Sequence, residues 1–234
     1  MAVPPGVPDW MRPAGLPIHR MPSAQALHRL IAGNERHQRV QSGEAAPAGD
    51  QAPAAFPFAL VVGCLEAGAA SEELFAERPG AIECVRTAGP SLGADAMAAV
   101  EYAALVQNVG VVLVLGHEGC GVVAAAREAR AAGRPALPGV LGEWVDLAAA
   151  GSAALPTADV KAGDAVTGHV RALRAQLRRA DSLLSLTRSG QVKIAGGVLD
   201  DETRAIAFLP DEPDEVVESA ARVAVRVDPT RYGS

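Results

Sequence analysis

Short apolar runs alternate along the chain with longer segments in which apolar residues recur every third or fourth position. The runs contain no regular polar alternation, which is typical of strands that are covered on both faces, as in a parallel sheet. The longer segments have the spacing of helices with one buried face. In chain order, the predicted strands are 58–62, 82–86 and 110–115, and the predicted helices are 23–40, 71–77, 93–107 and 121–132.

This alternation predicts an α/β fold with a mainly parallel central sheet flanked by helices. The first helix is expected to form an N-terminal helical arm with Ser23 as its N-cap. Its predicted apolar face comprises Ala26, Leu27, Leu30 and Ile31. Further along, the pattern predicts helices at 141–149, 163–186 and 215–225, and a C-terminal antiparallel strand pair at 191–199 and 204–209.

The N-terminal segment 1–22 is rich in proline, and we expect it to be an irregular arm. The remaining chain, 23–234, is expected to form a single α/β domain. With 27 acidic and 21 basic residues, the chain has no basic footprint for nucleic acid or an anionic membrane, and we expect neither partner. Its start lacks a secretory signal and its apolar runs are too short to span a bilayer, so we expect a soluble, cytoplasmic protein.

Chemically reactive side chains follow two of the predicted strands. Cys64 ends the first strand, and His117 and Cys120 follow the third. The carboxyl ends of parallel strands meet at one edge of the sheet, so these three side chains can converge there. Two thiolates and an imidazole are a zinc ligand set, and three protein ligands leave a fourth position for water or substrate.

Each of these residues has a simpler interpretation. A cysteine at a strand end also fits a small buried residue or a nucleophile, and the presence of ligands at two strand ends favours the metal site. Cys84 has no partner at ligand spacing, and we predict that it belongs to the core. The remaining histidines are interpreted as solvated or structural: His19, His28, His37 and His169.

Several motifs make the chain similar to the β-class carbonic anhydrases over roughly 24–209. The motifs are "LIAGNERH", "EELF", "VRTAG", "EYAALVQNVGVVLVLGHEGCGVV" and "GGVLDDET". The resemblance implies a zinc ion held by Cys64, His117 and Cys120. It also implies a homodimer or a higher oligomer built from dimers, and a small-molecule substrate.

The chain departs from the family next to its first zinc cysteine. Where the family has x-Asp-Ser-Arg, this chain has Leu65, Glu66, Ala67 and Gly68. In the family the aspartate accepts a hydrogen bond from zinc-bound hydroxide, and the arginine aims that aspartate. Three further family residues, an asparagine, a tyrosine and a glycine, are replaced here by Pro90, Leu199 and Arg204.

These departures leave three hypotheses for function. In the first, the protein hydrates carbon dioxide to bicarbonate, weakly, with Glu66 as the catalytic acceptor and Arg86 as the cation that orients it. In the second, a pocket opened by Ala67 and Gly68 admits a larger organic electrophile for hydration, dehydration or hydrolysis. In the third, Glu66 is a permanent fourth zinc ligand and the site is structural. The predicted substrate pocket comprises Ala67, Gly68, Arg86, Gly89 and Gly121.

Overall fold

The computed structural model describes residues 20–46, 52–133 and 162–211, together with the single positions 8, 11, 142 and 145. The helices predicted at 141–149 and 215–225, and most of the arm predicted at 1–22, lie outside these residues. No helix in the described part of the chain is both long enough and apolar enough to span a bilayer.

The described part of the chain contains five strands, six α-helices with defined bounds and a 3-10 helix at Leu65–Ala67. The strands are β1 (Ala59–Cys64), β2 (Ile82–Thr87), β3 (Val111–His117), β4 (Lys193–Leu199) and β5 (Ile206–Phe208). The helices are α1 (Ser23–Gln41), α2 (Ser71–Leu74), α3 (Ala94–Glu101), α4 (Gly121–Ala131), α5 (Ala162–Arg179) and α6 (Asp181–Arg188). A π-helical segment, Tyr102–Val106, continues α3.

The strands form one sheet in the order β2-β1-β3-β4-β5. Strands β1 to β4 are parallel, and β5 is antiparallel to β4. Every residue of β1 and β3 is buried, which explains their unbroken apolar sequences. Helices α1 and α5 both pack against β3 and β4. The predicted α/β fold with flanking helices and a C-terminal antiparallel strand pair is therefore confirmed.

Three local predictions were wrong. The segment predicted as one helix at 163–186 is two helices, because the backbone of Ala180 is extended between α5 and α6. Ser23 is not an N-cap, since its hydroxyl donates to the Gly190 carbonyl at 2.7 Å instead of to its own helix. Cys84 is exposed and not part of the core, because β2 lies at the edge of the sheet.

The strand register shows which residues lie next to Cys64 and His117 at the carboxyl ends of the strands. Cys64 pairs with Thr87 of β2, and His117 pairs with Leu199 of β4. The turn that follows β4 therefore begins next to His117. In β3, a Cβ on Gly116 would lie 2.5 Å from Val166 Cγ1 of α5, so only glycine allows this helix to approach the strand so closely.

Candidate metal site

Four side chains converge beyond the carboxyl ends of β1 and β3. Ligand atoms of Cys64, Glu66, His117 and Cys120 all lie within 4.8 Å of one another. The two sulfur atoms are 4.0 Å apart. Two thiolates bound tetrahedrally at about 2.3 Å from zinc would be about 3.8 Å apart, so the spacing of the cysteines fits this metal.

His117 is buried and presents one unpaired nitrogen to this group. Its Nδ1 lies 3.0 and 3.1 Å from the two carboxylate oxygens of Asp201. Among the residues that the structure describes, its Nε2 has no hydrogen-bond partner. A proton on Nδ1 that is donated to Asp201 leaves the Nε2 lone pair free, which is the tautomer that a metal ligand requires.

Sequence reasoning missed Asp201. Its neighbour Asp200 holds the turn, because the Asp200 carboxylate accepts from the backbone N–H groups of Glu202 and Thr203 at 2.9 and 2.8 Å. The signal that could have identified Asp201 is its position directly after a strand that neighbours β3 in the sheet. An acid in that turn lies within reach of a histidine at the end of β3.

Two glycines on either side of Cys120 each donate a backbone hydrogen bond to a carboxylate. The Gly119 N–H donates to Asp201 Oδ2 at 2.7 Å, and the Gly121 N–H donates to Glu66 Oε2 at 2.8 Å. A Cβ would lie 2.7 Å from the Asp201 carboxylate at Gly119 and 3.0 Å from the Glu66 carboxylate at Gly121. Glycine at these two positions therefore favours the close approach of both carboxylates to the backbone.

Interactions within the cluster favour ionisation of the Cys64 thiol over that of Cys120. The hydrogen bond with Cys120, followed by the nearby His117 imidazole and by the backbone of Glu66 and Gly89, lowers the pKa of the Cys64 thiol to about 4 in spite of burial. The same bond to Cys64, together with burial, raises the pKa of Cys120. The nearby Cys64 sulfur and, to a smaller extent, Asp201 raise the pKa of His117 to about 9, although burial opposes this. Without a metal, the cluster thus retains protons that a divalent cation would displace.

Arg86 contacts the backbone beside the site. Its guanidinium donates to the carbonyls of Cys64 and Leu65 at 3.0 Å each and to that of Ala69 at 3.3 Å. The expectation that Arg86 orients the Glu66 carboxylate is thereby corrected: Arg86 fixes the turn, and the carboxylate is held by a backbone N–H of α4.

The other expected pocket residues lie around the same turn. Ala67 is buried, and its carbonyl accepts a hydrogen bond from Arg204 at 3.1 Å. Gly68 has a φ of 69° and Gly89 a φ of 64°, both in the left-handed region that favours glycine. A Cβ on Gly89 would lie 2.9 Å from Val122 Cγ1, so Gly89 also permits close packing against α4.

Comparisons with known proteins identify relatives of the chain. A sequence profile of the carbonic anhydrase family matches residues 59–206. Carbonic anhydrase 2 of Mycobacterium tuberculosis is 40% identical over 70 residues, which are 30% of this chain and 34% of that protein, so this match spans about a third of the relative's length. The carbonic anhydrase of Pseudomonas aeruginosa is 32% identical over 182 residues, which cover 73% of this chain and 81% of that protein.

Solved structures share the fold at lower sequence identity. The β-carbonic anhydrase CafA of Aspergillus fumigatus has a TM-score of 0.57 at 20% identity, covering 86% of this chain and 97% of that one. The β-carbonic anhydrase of Coccomyxa, solved with acetazolamide, has a TM-score of 0.56 at 20% identity, covering 82% and 87%. Tetrameric β-carbonic anhydrases of Sordaria macrospora have a TM-score of 0.56 at 20% identity, covering 80% and 95%.

Proposed function

The chain belongs to the β-class carbonic anhydrase family, and from that premise we propose that it is a zinc-dependent lyase that hydrates carbon dioxide to bicarbonate. The observation that carries the proposal is the convergence of Cys64, His117, Cys120 and Glu66 at the ends of two neighbouring strands. The proposal assigns the first three to zinc and Glu66 to catalysis.

The donor set suits zinc by chemistry as well as by spacing. Two thiolates and a neutral imidazole are the ligands of many catalytic zinc sites, and the unpaired Nε2 of His117 supplies the imidazole lone pair. When bound there, zinc would lower the pKa of water and so supply a nucleophile near neutral pH.

Glu66 is the residue that we assign to the reacting water. Its Oε2 is held by the Gly121 N–H, 3.7 Å from His117 Nε2 and 3.8 Å from Cys64 Sγ. In the proposal, Glu66 accepts a hydrogen bond from the attacking water and orients its lone pair toward carbon dioxide. The helix N-terminus at Gly121 thereby takes over the aiming role that an arginine has in the family.

A closed structural site is the second candidate, and the position of Glu66 favours it. Its carboxylate already belongs to the group of potential ligand atoms, so it could complete a four-coordinate zinc. Among the residues that the structure describes, no feature favours a larger organic substrate. The space beside Gly68, which was expected to open the pocket, lies next to Arg204, whose Nη2 is 3.8 Å from the position of a Cβ on Gly68.

Stopped-flow carbon dioxide hydration at mildly alkaline pH tests the proposal, on protein that contains one zinc per chain. We expect clear turnover, and we expect Cys120→Ser to lose both zinc and turnover. Glu66→Gln should keep its zinc and lose about 100-fold or more in kcat/KM, because the neutral amide accepts a hydrogen bond more weakly than the carboxylate and carries no negative charge. Glu73→Gln, on the exposed side of α2, is the matched control and should behave as wild type.

The alternative outcomes are distinct. Zinc-loaded wild type without turnover above buffer would overturn the proposal. If Glu66→Gln also weakened zinc binding, as measured by chelator competition, Glu66 would be a zinc ligand and the site would be the closed structural one. Turnover that Glu66→Gln leaves unchanged would remove Glu66 from the mechanism.

The proposal includes a homodimer, or a higher oligomer built from dimers, formed by a single domain that begins at residue 23. Packing of α1 against β3 and β4 supports its inclusion in the domain. Leu65 and Tyr102 are 58% and 42% exposed, which supports a subunit contact because large apolar side chains on a surface favour burial. Sedimentation velocity at micromolar concentration measures the assembly, and a single monomer peak would contradict it.

A further inference from the structure

Arg204 has a backbone conformation that its side chain disfavours. Its φ is 62°, in the left-handed region, where a Cβ crowds the following carbonyl. Glycine would adopt this conformation without that cost. A strained residue of this kind persists only where the surrounding structure holds it, and such residues concentrate at functional positions.

Both backbone polar groups of Arg204, its N–H and its carbonyl, are hydrogen-bonded. Its N–H donates to the Asp200 carbonyl at 2.9 Å, which closes the turn between β4 and β5. Its carbonyl accepts from Asn34 Nδ2 of α1 at 3.1 Å, and Asn34 Oδ1 accepts from the Ile206 N–H at 2.9 Å. Because Asn34 is itself buried, these bonds fix the direction in which the Arg204 side chain leaves the turn.

The side chain of Arg204 reaches the turn that carries Glu66. Its Nη1 donates to the Ala67 carbonyl at 3.1 Å, a contact between residues 137 positions apart in the chain. Its Nη2 lies beside Gly68, 3.8 Å from the position that a Cβ would occupy there. Arg86 holds the carbonyls of Cys64 and Leu65, so the turn is held by two arginines from different parts of the chain.

We propose that Arg204 is a positioning residue, which fixes the 65–68 turn and thereby the Glu66 carboxylate beside the metal position. This inference rests on the proposed function, in which Glu66 serves the reaction. The turn 65–68 contains no cation of its own, and Arg204 supplies a guanidinium to it from the β4–β5 connection. The strain at Arg204 is consistent with this role, because glycine would satisfy the backbone but could not reach Ala67.

The test compares Arg204→Gly and Arg204→Lys with wild type, all loaded with zinc. Ala76→Gly is the matched control, since Ala76 also has a positive φ, of 45°, but its backbone is hydrogen-bonded to Glu73 and Arg36. Amide hydrogen exchange of the peptide 64–69 reports the turn. The visible spectrum of the cobalt-substituted protein reports ligand geometry, and stopped-flow hydration reports kcat/KM.

For Arg204→Gly we expect an unchanged or higher melting temperature, faster exchange in 64–69, an altered cobalt spectrum and a loss of about 10- to 100-fold in kcat/KM. Arg204→Lys should restore part of each effect, because its ammonium can still donate to Ala67. Ala76→Gly should leave the exchange, spectrum and activity as in wild type.

Unchanged exchange and an unchanged cobalt spectrum in Arg204→Gly would overturn the inference. A wild type that hydrates no carbon dioxide would overturn the proposed function alone, because the exchange and spectral measurements still decide whether Arg204 positions the turn. A lower melting temperature in Arg204→Gly, together with faster exchange throughout the chain, would assign the residue a purely structural role.

Discussion

At the scale of single residues, the candidate metal site includes a carboxylate that orients a proposed ligand and is not itself one of the proposed ligands. Asp201 lies against both His117 Nδ1 and the Gly119 N–H. It therefore sets the tautomer and the ring orientation of the histidine and also fixes the loop before Cys120. Such outer carboxylates make a histidine a better ligand because they stabilise the positive charge that develops on the ring.

Asp201→Asn should weaken zinc binding about 10- to 100-fold, because the amide can still accept from Nδ1 but carries no charge. Chelator competition on the purified protein measures this. Glu202→Gln, at an exposed position in the same turn, is the control and should bind zinc as wild type does. Equal zinc affinity in Asp201→Asn and wild type would show that the carboxylate charge is dispensable.

The sequence predicts some residues of this site and not others, for a physical reason. Cys64, His117 and Cys120 could be predicted because a strand fixes where its own end lies, and parallel strands end together. Asp201 has only the weaker signal of its place after a neighbouring strand. Arg204 could not be predicted, because its side chain leaves an irregular turn whose geometry depends on Asn34 of a distant helix. The pattern of apolar residues contains no information about that contact.

At the scale of elements, the approach of α5 to the sheet positions the end of β3. A Cβ on Gly196 of β4 would lie 2.5 Å from Arg174 Cδ and 2.8 Å from Val170 Cγ1. Together with Gly116, this glycine forms a flat surface on which the helix lies. The strands could be predicted from their apolar runs, whereas the break between α5 and α6 could not, because Ala180 has no sequence feature of a helix end.

Gly196→Ala should destabilise the protein by about 1–3 kcal/mol, because the added methyl group overpacks the contact between α5 and β4. Urea unfolding followed by circular dichroism measures the free energy of unfolding. The control is Gly63→Ala in β1, where the nearest atom to a new Cβ is Val61 Cγ1 at 3.8 Å. That variant should be as stable as wild type, and an equal loss in both variants would contradict the packing argument.

At the scale of the whole molecule, a buried histidine links α5 to the loop after β2. His169 is 2% exposed, and its Nε2 donates to the Pro90 carbonyl at 2.6 Å. Burial lowers the pKa of His169 and so keeps the ring neutral, although the bond to Pro90 and the charge of Cys64 oppose this. The folded protein therefore excludes a proton that the unfolded chain accepts.

This difference makes stability depend on pH with a definite sign. The pKa of His169 is lower in the folded state than its unfolded value of about 6.5. Above that pH the ring is neutral in both states, and its full contribution to the free energy of unfolding is present. Stability should then fall as the pH decreases toward the folded pKa, by up to about 1.4 kcal/mol per pH unit. Urea unfolding of wild type and His169→Gln between pH 5 and 7 measures the difference in slope.

In His169→Gln the side-chain amide can still donate to Pro90, so the variant removes the titrating group while it preserves the contact. We expect a shallower decrease in stability at acidic pH than in wild type. His28→Gln, at an exposed position on α1, controls for the loss of an imidazole. If the free energy of unfolding had the same pH dependence in wild type and His169→Gln, folding would not lower the pKa of His169, and the prediction would be wrong.

The 137-position separation between Arg204 and Ala67 has a consequence for biosynthesis. The nascent chain presents Cys64, His117 and Cys120 to the cell well before Asp201 and Arg204 leave the ribosome. At typical translation rates this interval is on the order of ten seconds. During that time Cys64 and Cys120 are exposed without the residues that orient His117 and the 65–68 turn, so we expect metallation in the cell to begin only after Asp201 and Arg204 have left the ribosome.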